Sequence, residues 1–162
     1  DNASGVSMML NLARYFSRPG NKPEYSLAFM AFTGEEAGLL GSRHYTQNPF
    51  FPLNKIKFLL NLDLFGSGEK GMMAVNGRVH EKAFQRLQRV NQARGYLPEL
   101  KARGRAANSD HYFFSQKGVP AFFCYLMADY PHYHDPKDDA EALPYQNYQE
   151  AFQLLVDYTE GF

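Results

Sequence analysis

The sequence IKFLLNLD, from Ile56 to Asp63, predicts a buried strand. The run is mostly apolar, is too short for a typical helix, and stops at the breaker cluster FGSG from Phe65 to Gly68. Runs of this kind are typical of a strand that is covered on both faces. The runs Tyr25 to Thr33 and Val119 to Leu126 have the same character. We therefore predict three buried strands, with an additional edge strand from Gly71 to Val75.

Segments with helical periodicity alternate with these strands. Apolar residues recur at helical spacing from Ser4 until a Pro-Gly pair at Pro19, and Asn2 or Ser4 can cap the first amides. Further helices are predicted at Ala83 to Val90 with a stop at Gly95, at His111 to Gln116, and at Tyr148 to Tyr158. This alternation predicts a single α/β domain over residues 1–162, a three-layer α-β-α arrangement with a mostly parallel, mixed central sheet.

The composition excludes several classes of function. Lys plus Arg and Asp plus Glu both number 17, so no overall positive charge points to nucleic acid or to an anionic membrane surface. No apolar run approaches the length of a membrane span. The single cysteine, Cys124, lies inside a predicted strand, where a buried thiol is expected and an internal disulfide is impossible.

Acidic and imidazole side chains follow each of the three predicted buried strands. Glu35 and Glu36 follow the first strand, Asp63 ends the second, and a loop with His132 and His134 follows the third. In open α/β sheets such groups meet in the crevice beyond the carboxyl ends of the strands. Carboxylate and imidazole ligands suit zinc or a similar first-row ion, so the pattern predicts a metal site.

The paired glutamates indicate what such a site would do. Adjacent carboxylates at the end of a buried strand repel each other unless a cation offsets the cost. If one glutamate binds the metal, its neighbour can take a proton from an activated water. The alternative interpretation is that Glu35 and Glu36 only cap a helix starting near Ala37, with Asp63 as a turn former and His134 as an ordinary loop histidine.

Five short motifs occur in a characteristic order: DNASG from Asp1, FTGEEAGLLGS from Phe32, NLDLFG from Asn61, NSDHYFF from Asn108, and HDPKD from His134. With these motifs, over nearly its whole length, the chain resembles the di-zinc aminopeptidase family. That family also includes glutaminyl cyclases and the peptidase-like domains of glutamate carboxypeptidase and transferrin receptor. The resemblance implies the zinc-exopeptidase type of α/β fold and two zinc ions in the intact domain.

The resemblance also implies a role for each matching residue. Asp1 would bridge two zinc ions, Glu36 and His134 would complete the protein ligands of one ion, and Asp63 would serve the other. Glu35 would be the general base and acid that carries the proton from water to the leaving amine.

Two further assignments rest on the same motifs. His134 is preferred to His132 because the ligand of the family precedes an aspartate by four positions, as His134 precedes Asp138. Ser109, Asp110 and His111 would either support the site and its substrate or only cap the following helix.

Several residues are candidates for a pocket that takes an apolar side chain, with core packing as the alternative: Phe65, Tyr125, Leu126, Met127 and Tyr130.

The chain departs from the family pattern at its start and in its last loop. Family members carry a histidine-x-aspartate motif upstream of the bridging aspartate, whereas this chain begins at Asp1. We therefore expect one zinc ion or none in this chain, and a sheet that lacks its first strands and needs another segment or chain to cover its edge. Family members usually have a threonine-rich sequence around the last ligand, whereas this chain has Asp135, Pro136 and Asp139 there.

The function that we predict is zinc-dependent hydrolysis of the amino-terminal residue of peptides, in a secreted or periplasmic enzyme. One rival is glutaminyl cyclization on the same fold. The other is a binding domain that kept the fold without catalysis.

Overall fold

The computed structural model describes all residues of the chain, Asp1 to Phe162. It contains five α-helices and four strands, with short 3-10 turns at Pro19–Asn21 and Leu53–Lys55. The helices are α1 (Ala3–Phe16), α2 (Leu40–Gln47), α3 (Glu81–Arg94), α4 (His111–Gln116) and α5 (Tyr148–Glu160). The strands are β1 (Leu59–Leu62), β2 (Met72–Val75), β3 (Leu100–Ala102) and β4 (Ala121–Leu126). No helix has both the length and the apolar character needed to cross a bilayer.

The strands form one mixed sheet in the order β1-β4-β2-β3. β1 pairs with β4 in parallel, β2 pairs with β3 in parallel, and β2 runs antiparallel to β4. Leu62 at the end of β1 pairs with Cys124, and the N–H of Asp63 donates to the Cys124 carbonyl at 3.2 Å. The carboxyl ends of β1 and β4 therefore lie side by side at one edge of the sheet.

Helices cover both faces of the sheet, which confirms the predicted three-layer arrangement. One face packs against α1, α3 and α5 through a core of 17 buried residues that includes Met8, Leu87 and Leu155. On the other face α4 packs against β1 and β4, and α2 packs against α4. Tyr45 and Phe114 belong to a small apolar cluster on that side. Cys124 is fully buried in the large core, as expected of a strand thiol.

The predicted strand from Tyr25 to Thr33 is wrong for this structure, because the segment has no strand partner. Residues 22–32 form no backbone–backbone hydrogen bond, and β1 at the nearest end of the sheet pairs only with β4. Leu27 and Phe29 are 37% and 41% exposed. An apolar run indicates that a segment favours burial. A strand of a sheet also needs a neighbouring strand with which its backbone groups exchange hydrogen bonds.

Other boundaries also differ from the predictions. The strand predicted from Gly71 to Val75 lies inside the sheet, because β3, which was not predicted, pairs along its outer side. β3 has only three residues and carries too little pattern to be recognised. The helix expected near Ala37 begins at Leu40. The strand predicted from Ile56 is shorter than expected and spans Leu59–Leu62.

Side chains at the start of α1 tie this helix to the end of β1. The Asn2 side-chain oxygen accepts from the N–H of Gly5, which caps the helix, and from the N–H of Leu64. The Asn2 side-chain amide donates to the Leu62 carbonyl at 3.3 Å. A Cβ at Gly5 would lie 2.5 Å from that same carbonyl oxygen, so only glycine allows this close approach. The start of α1 is thereby held against the strand end that carries Asp63.

Replacing Asn2 with alanine removes the helix cap and both contacts to β1. We expect Asn2→Ala to lower the free energy of unfolding by about 2 kcal/mol, since a cap alone is worth about 1 kcal/mol. Urea denaturation followed by circular dichroism measures this change. The control is Asn11→Ala on the same helix, which loses one exposed hydrogen bond to Tyr148 and should cost less than about 0.5 kcal/mol. Equal losses in the two variants would contradict the role given to Asn2.

Candidate metal centre

Three side chains from distant parts of the chain meet at the sheet edge where β1 and β4 end. The His134 Nε2 atom lies 2.9 Å from the Asp1 carboxylate and 3.4 Å from that of Glu36. The ligand atoms of all three residues lie within 4.8 Å of one another. His132 lies outside this group, with its Nδ1 atom 3.8 Å from Asp135. The imidazole of His134 thus lies between two carboxylates. A divalent cation bound among these three groups would stabilise the two negative charges.

The loop that carries Glu35 and Glu36 folds back on the start of α2. Gly34 has a φ of 67°, and the Glu35 carbonyl accepts from the N–H of Leu39 at 2.8 Å. Neither glutamate caps the helix, because the residue at the cap position is Leu39 and no side chain bonds to the first amides. The helix-capping interpretation is therefore wrong, and both carboxylates are free to face the cavity.

Asp63 is held by hydrogen bonds that leave one of its oxygens free. The Ser109 hydroxyl donates to Asp63 Oδ2 at 3.2 Å and accepts from the Asn61 amide at 2.7 Å. Asp63 Oδ1 is buried and has no hydrogen-bond partner. The next residue, Leu64, has a φ of 58°, a conformation that bulky side chains rarely adopt. A buried carboxylate oxygen with no partner needs an explanation, and a bound metal ion would supply one.

The motif around Ser109 does not cap α4 through a side-chain hydrogen bond. Asp110 occupies the cap position, but its side chain makes no capping hydrogen bond. Ser109 instead joins Asp63 to Asn61, which supports the interpretation of this turn as a support for the site. His111 is fully buried beside Phe123, with ring centroids 5.5 Å apart.

A cavity of about 650 Å³ brings the predicted site residues together. All five line it: Asp1, Glu35, Glu36, Asp63 and His134. Burial raises the pKa of the Glu35 carboxyl, and the nearby charges of Asp63, Glu36 and Asp110 raise it further. Burial also raises the pKa of Asp63, although the hydrogen bond from Ser109 acts in the opposite direction.

The aromatic wall of the cavity was predicted in part. Tyr125, Leu126, Met127 and Tyr130 line the cavity as proposed, whereas Phe65 is fully buried in the core. The lining residues that were not predicted include Lys70, Arg103, Tyr133 and Leu143. Tyr133 stacks on the ring of His134 at 4.0 Å, and its place beside the predicted ligand was the only available signal.

The donors in this cavity fit a zinc ion. Carboxylate oxygen and imidazole nitrogen are ligands that zinc accepts, and the atoms of Asp1, Glu36 and His134 lie close enough together to share one ion. The unpartnered Oδ1 atom of Asp63 offers a further buried donor in the same cavity. The acidic charges also repel one another unless a cation is present.

The buried His111 generates a prediction about pH. Burial lowers the pKa of His111 to about 4 from its ordinary value of 6.5, although contacts with the backbone of Ser109 and Ala106 act in the opposite direction. Between these values the unfolded chain binds a proton that the folded chain does not. Stability should therefore fall as pH drops from about 6.5 to about 4, by roughly 3 kcal/mol from this group.

His111→Phe removes the titrating group and keeps the aromatic contact with Phe123. In urea denaturation at a series of pH values, the variant should show a clearly flatter dependence over this window than the unmodified protein. An unchanged slope would show that His111 is not a neutral buried group.

Comparison with known proteins agrees with this geometry. The chain matches the model of Peptidase family M28 over residues 1–159. It is 32% identical over 131 residues to leupeptin-inactivating enzyme 1 of Streptomyces exfoliatus, covering 80% of this chain and 29% of that protein. It is 30% identical over 166 residues to aminopeptidase YwaD of Bacillus subtilis, covering 96% of this chain and 36% of that protein.

A solved structure of similar fold is the aminopeptidase from Aneurinibacillus sp. strain AM-1. It superposes with a TM-score of 0.79 at 26% identity and covers 98% of this chain and 38% of that one. The chain thus spans about a third of the length of these three proteins. The family model nevertheless matches residues 1–159, nearly the whole of this chain, which establishes that the chain belongs to Peptidase family M28.

Proposed function

We propose that the protein is a zinc-dependent aminopeptidase that removes the amino-terminal residue from peptides. The main support is the cavity that Asp1, Glu35, Glu36, Asp63 and His134 line together. The relatives add support, since one is named an aminopeptidase and another a leupeptin-inactivating enzyme.

The family resemblance assigns a role to each residue. Asp1, Glu36 and His134, whose ligand atoms lie within 4.8 Å of one another, would hold a zinc ion, and Asp63 would serve a second ion if one binds. When bound, zinc would supply Lewis acidity that lowers the pKa of a water and polarises the scissile carbonyl. Ser109 holds Asp63 in place, and Tyr133 stacks on His134 and limits the orientation of its ring.

Glu35 is the residue left for proton transfer. It lines the cavity and stands beside Glu36, but it is not one of the three residues grouped around His134. A carboxylate in this position can take a proton from the attacking water and deliver it to the amine that leaves. This role requires a carboxylate that faces the cavity and does not itself bind the metal.

Two exposed features support a further proposal about partners. Tyr25, Leu27 and Phe29 are exposed along a segment that forms no backbone hydrogen bonds, and β1 is an edge strand. We propose that another strand, from elsewhere in the protein or from a second chain, pairs along this side, because an exposed apolar edge is a strong template for strand addition. A secreted or periplasmic location remains a prediction.

Glu35→Gln tests the catalytic role. The variant should lose at least about 100-fold in kcat on amino acid anilides, because the amide cannot accept the proton, while zinc content measured by plasma spectrometry stays unchanged. Activity of the unmodified protein should vanish with a chelator and return with added zinc. The control is Glu24→Gln, an exposed glutamate outside the cavity, which should keep full activity.

The same assay separates the rival functions. Peptides that begin with glutamine would lose ammonia without becoming shorter if the protein were a glutaminyl cyclase. A zinc-loaded protein that acts on neither anilides nor glutamine peptides would favour the binding domain and overturn the proposal.

A further inference from the structure

The cavity wall includes two positively charged side chains, and one of them has no acidic partner. Lys70 forms a salt bridge with Asp129. Arg103 forms no salt bridge, and its only side-chain hydrogen bond goes from Nη1 to the hydroxyl of Tyr125 at 3.3 Å. A guanidinium group carries five N–H donors, so most of the binding capacity of Arg103 is unused. An arginine in this state within a substrate cavity is suited to bind an anion.

The pairing of the strands explains why Arg103 faces the same cavity as Asp63. Ala102 pairs with Ala74, which pairs with Cys124, and Cys124 pairs with Leu62. These four residues lie at one level of the sheet, and all four belong to or pack against the large core. Side chains alternate between the two faces of a strand. Arg103 and Asp63, the residues after Ala102 and Leu62, therefore project from the opposite face, where the cavity lies.

Tyr125 connects the acidic end of the cavity with Arg103. Tyr125 follows Cys124 on β4, and Asp63 follows its partner Leu62 on β1, so these two residues are one strand spacing apart, or about 4.8 Å between backbones. The Tyr125 hydroxyl, which accepts the hydrogen bond from Arg103, lies several ångströms from the Tyr125 backbone and further along the cavity. A peptide extends by about 3.3–3.6 Å per residue, so one or two residues beyond the scissile bond reach the guanidinium group.

We propose that Arg103 is a specificity residue that binds a carboxylate on the leaving-group side of the substrate. This inference rests on the proposed aminopeptidase function and names its substrate class: short peptides with a free carboxyl terminus, or peptides with an acidic residue after the scissile bond. The acidic side of the cavity attracts the substrate ammonium group, and Arg103 attracts the carboxylate at the other end. Tyr125 holds the guanidinium group toward the cavity.

The test compares substrates that differ only in charge. Leu-Ala and Leu-Ala amide differ in the free terminus, and Leu-Asp amide and Leu-Asn amide differ in an acidic side chain. The ratio of kcat/KM within each pair, measured with the zinc-loaded protein, reports the preference for a carboxylate and which of the two sources carries it. We expect a preference of about fivefold to tenfold for at least one acidic member, weaker at high salt because Arg103 is exposed.

Arg103→Ala should bring that ratio close to one through KM, and Arg103→Lys should keep part of it because the charge remains. The matched control is Arg105→Ala, an exposed arginine two positions on that does not line the cavity, which should keep the unmodified ratio. If both pairs are cleaved without preference, or if Arg103→Ala leaves the ratio unchanged, the inference is overturned while the aminopeptidase function stands.

A second readout does not depend on turnover. Calorimetric titration of the zinc-loaded Glu35→Gln protein with Leu-Ala and Leu-Ala amide measures the same preference as a ratio of Kd values. That ratio should also fall toward one when Arg103→Ala is added. If no peptide is hydrolysed, the proposed function fails, and this titration still decides whether Arg103 binds a carboxylate.

Discussion

Electrostatic repulsion among four carboxylates governs the organisation of this site. Asp1, Glu35, Glu36 and Asp63 line one cavity, and at such short range like charges raise the energy of the folded chain. His134 contacts two of the four carboxylates. A divalent cation would offset the repulsion, which is why the arrangement makes physical sense as a metal centre and little sense as a purely structural cluster.

The fold keeps these charges in place by separating the two faces of the sheet. One face carries a large apolar core of 17 buried residues against α1, α3 and α5, whereas the apolar cluster on the other face has three. The cavity lies at the edge of the other face, where short hydrogen-bonded connections fix each acidic residue. Asn2 ties the start of α1 to the end of β1, and Ser109 joins the start of α4 to Asp63. Repelling groups are thus carried by elements whose stability comes from the opposite side of the sheet.

The sequence predicted most of the fold because most elements combine a periodic pattern with a clear stop. α1, α3, α5 and β4 were recognised in this way, and Gly95 ends α3 in the left-handed conformation as its position indicates. The strand predicted from Tyr25 to Thr33 is absent, because hydrophobicity does not reveal whether another strand lies alongside a segment. β3 was not predicted because three residues are too few to show a periodic pattern of apolar residues. Its pairing with β2 depends on the fold, which brings distant segments of the chain together.

The site was predictable to the extent that its residues stand in motifs. The five proposed ligand and base residues were named from strand ends and from the family resemblance, and all five line one cavity. Arg103 and Tyr133 were missed because nothing in their local sequence marks them. Arg103 faces the cavity only through the register of a sheet in which β4 and β2 lie between it and Asp63.

Anomalous diffraction at the zinc absorption edge, on crystals of the protein grown with zinc, shows where the metal binds. We expect a strong peak between Asp1, Glu36 and His134, with any second peak beside the free oxygen of Asp63. A well-ordered crystal with no peak in this cavity, or with zinc only at unrelated surface residues, would contradict this expectation.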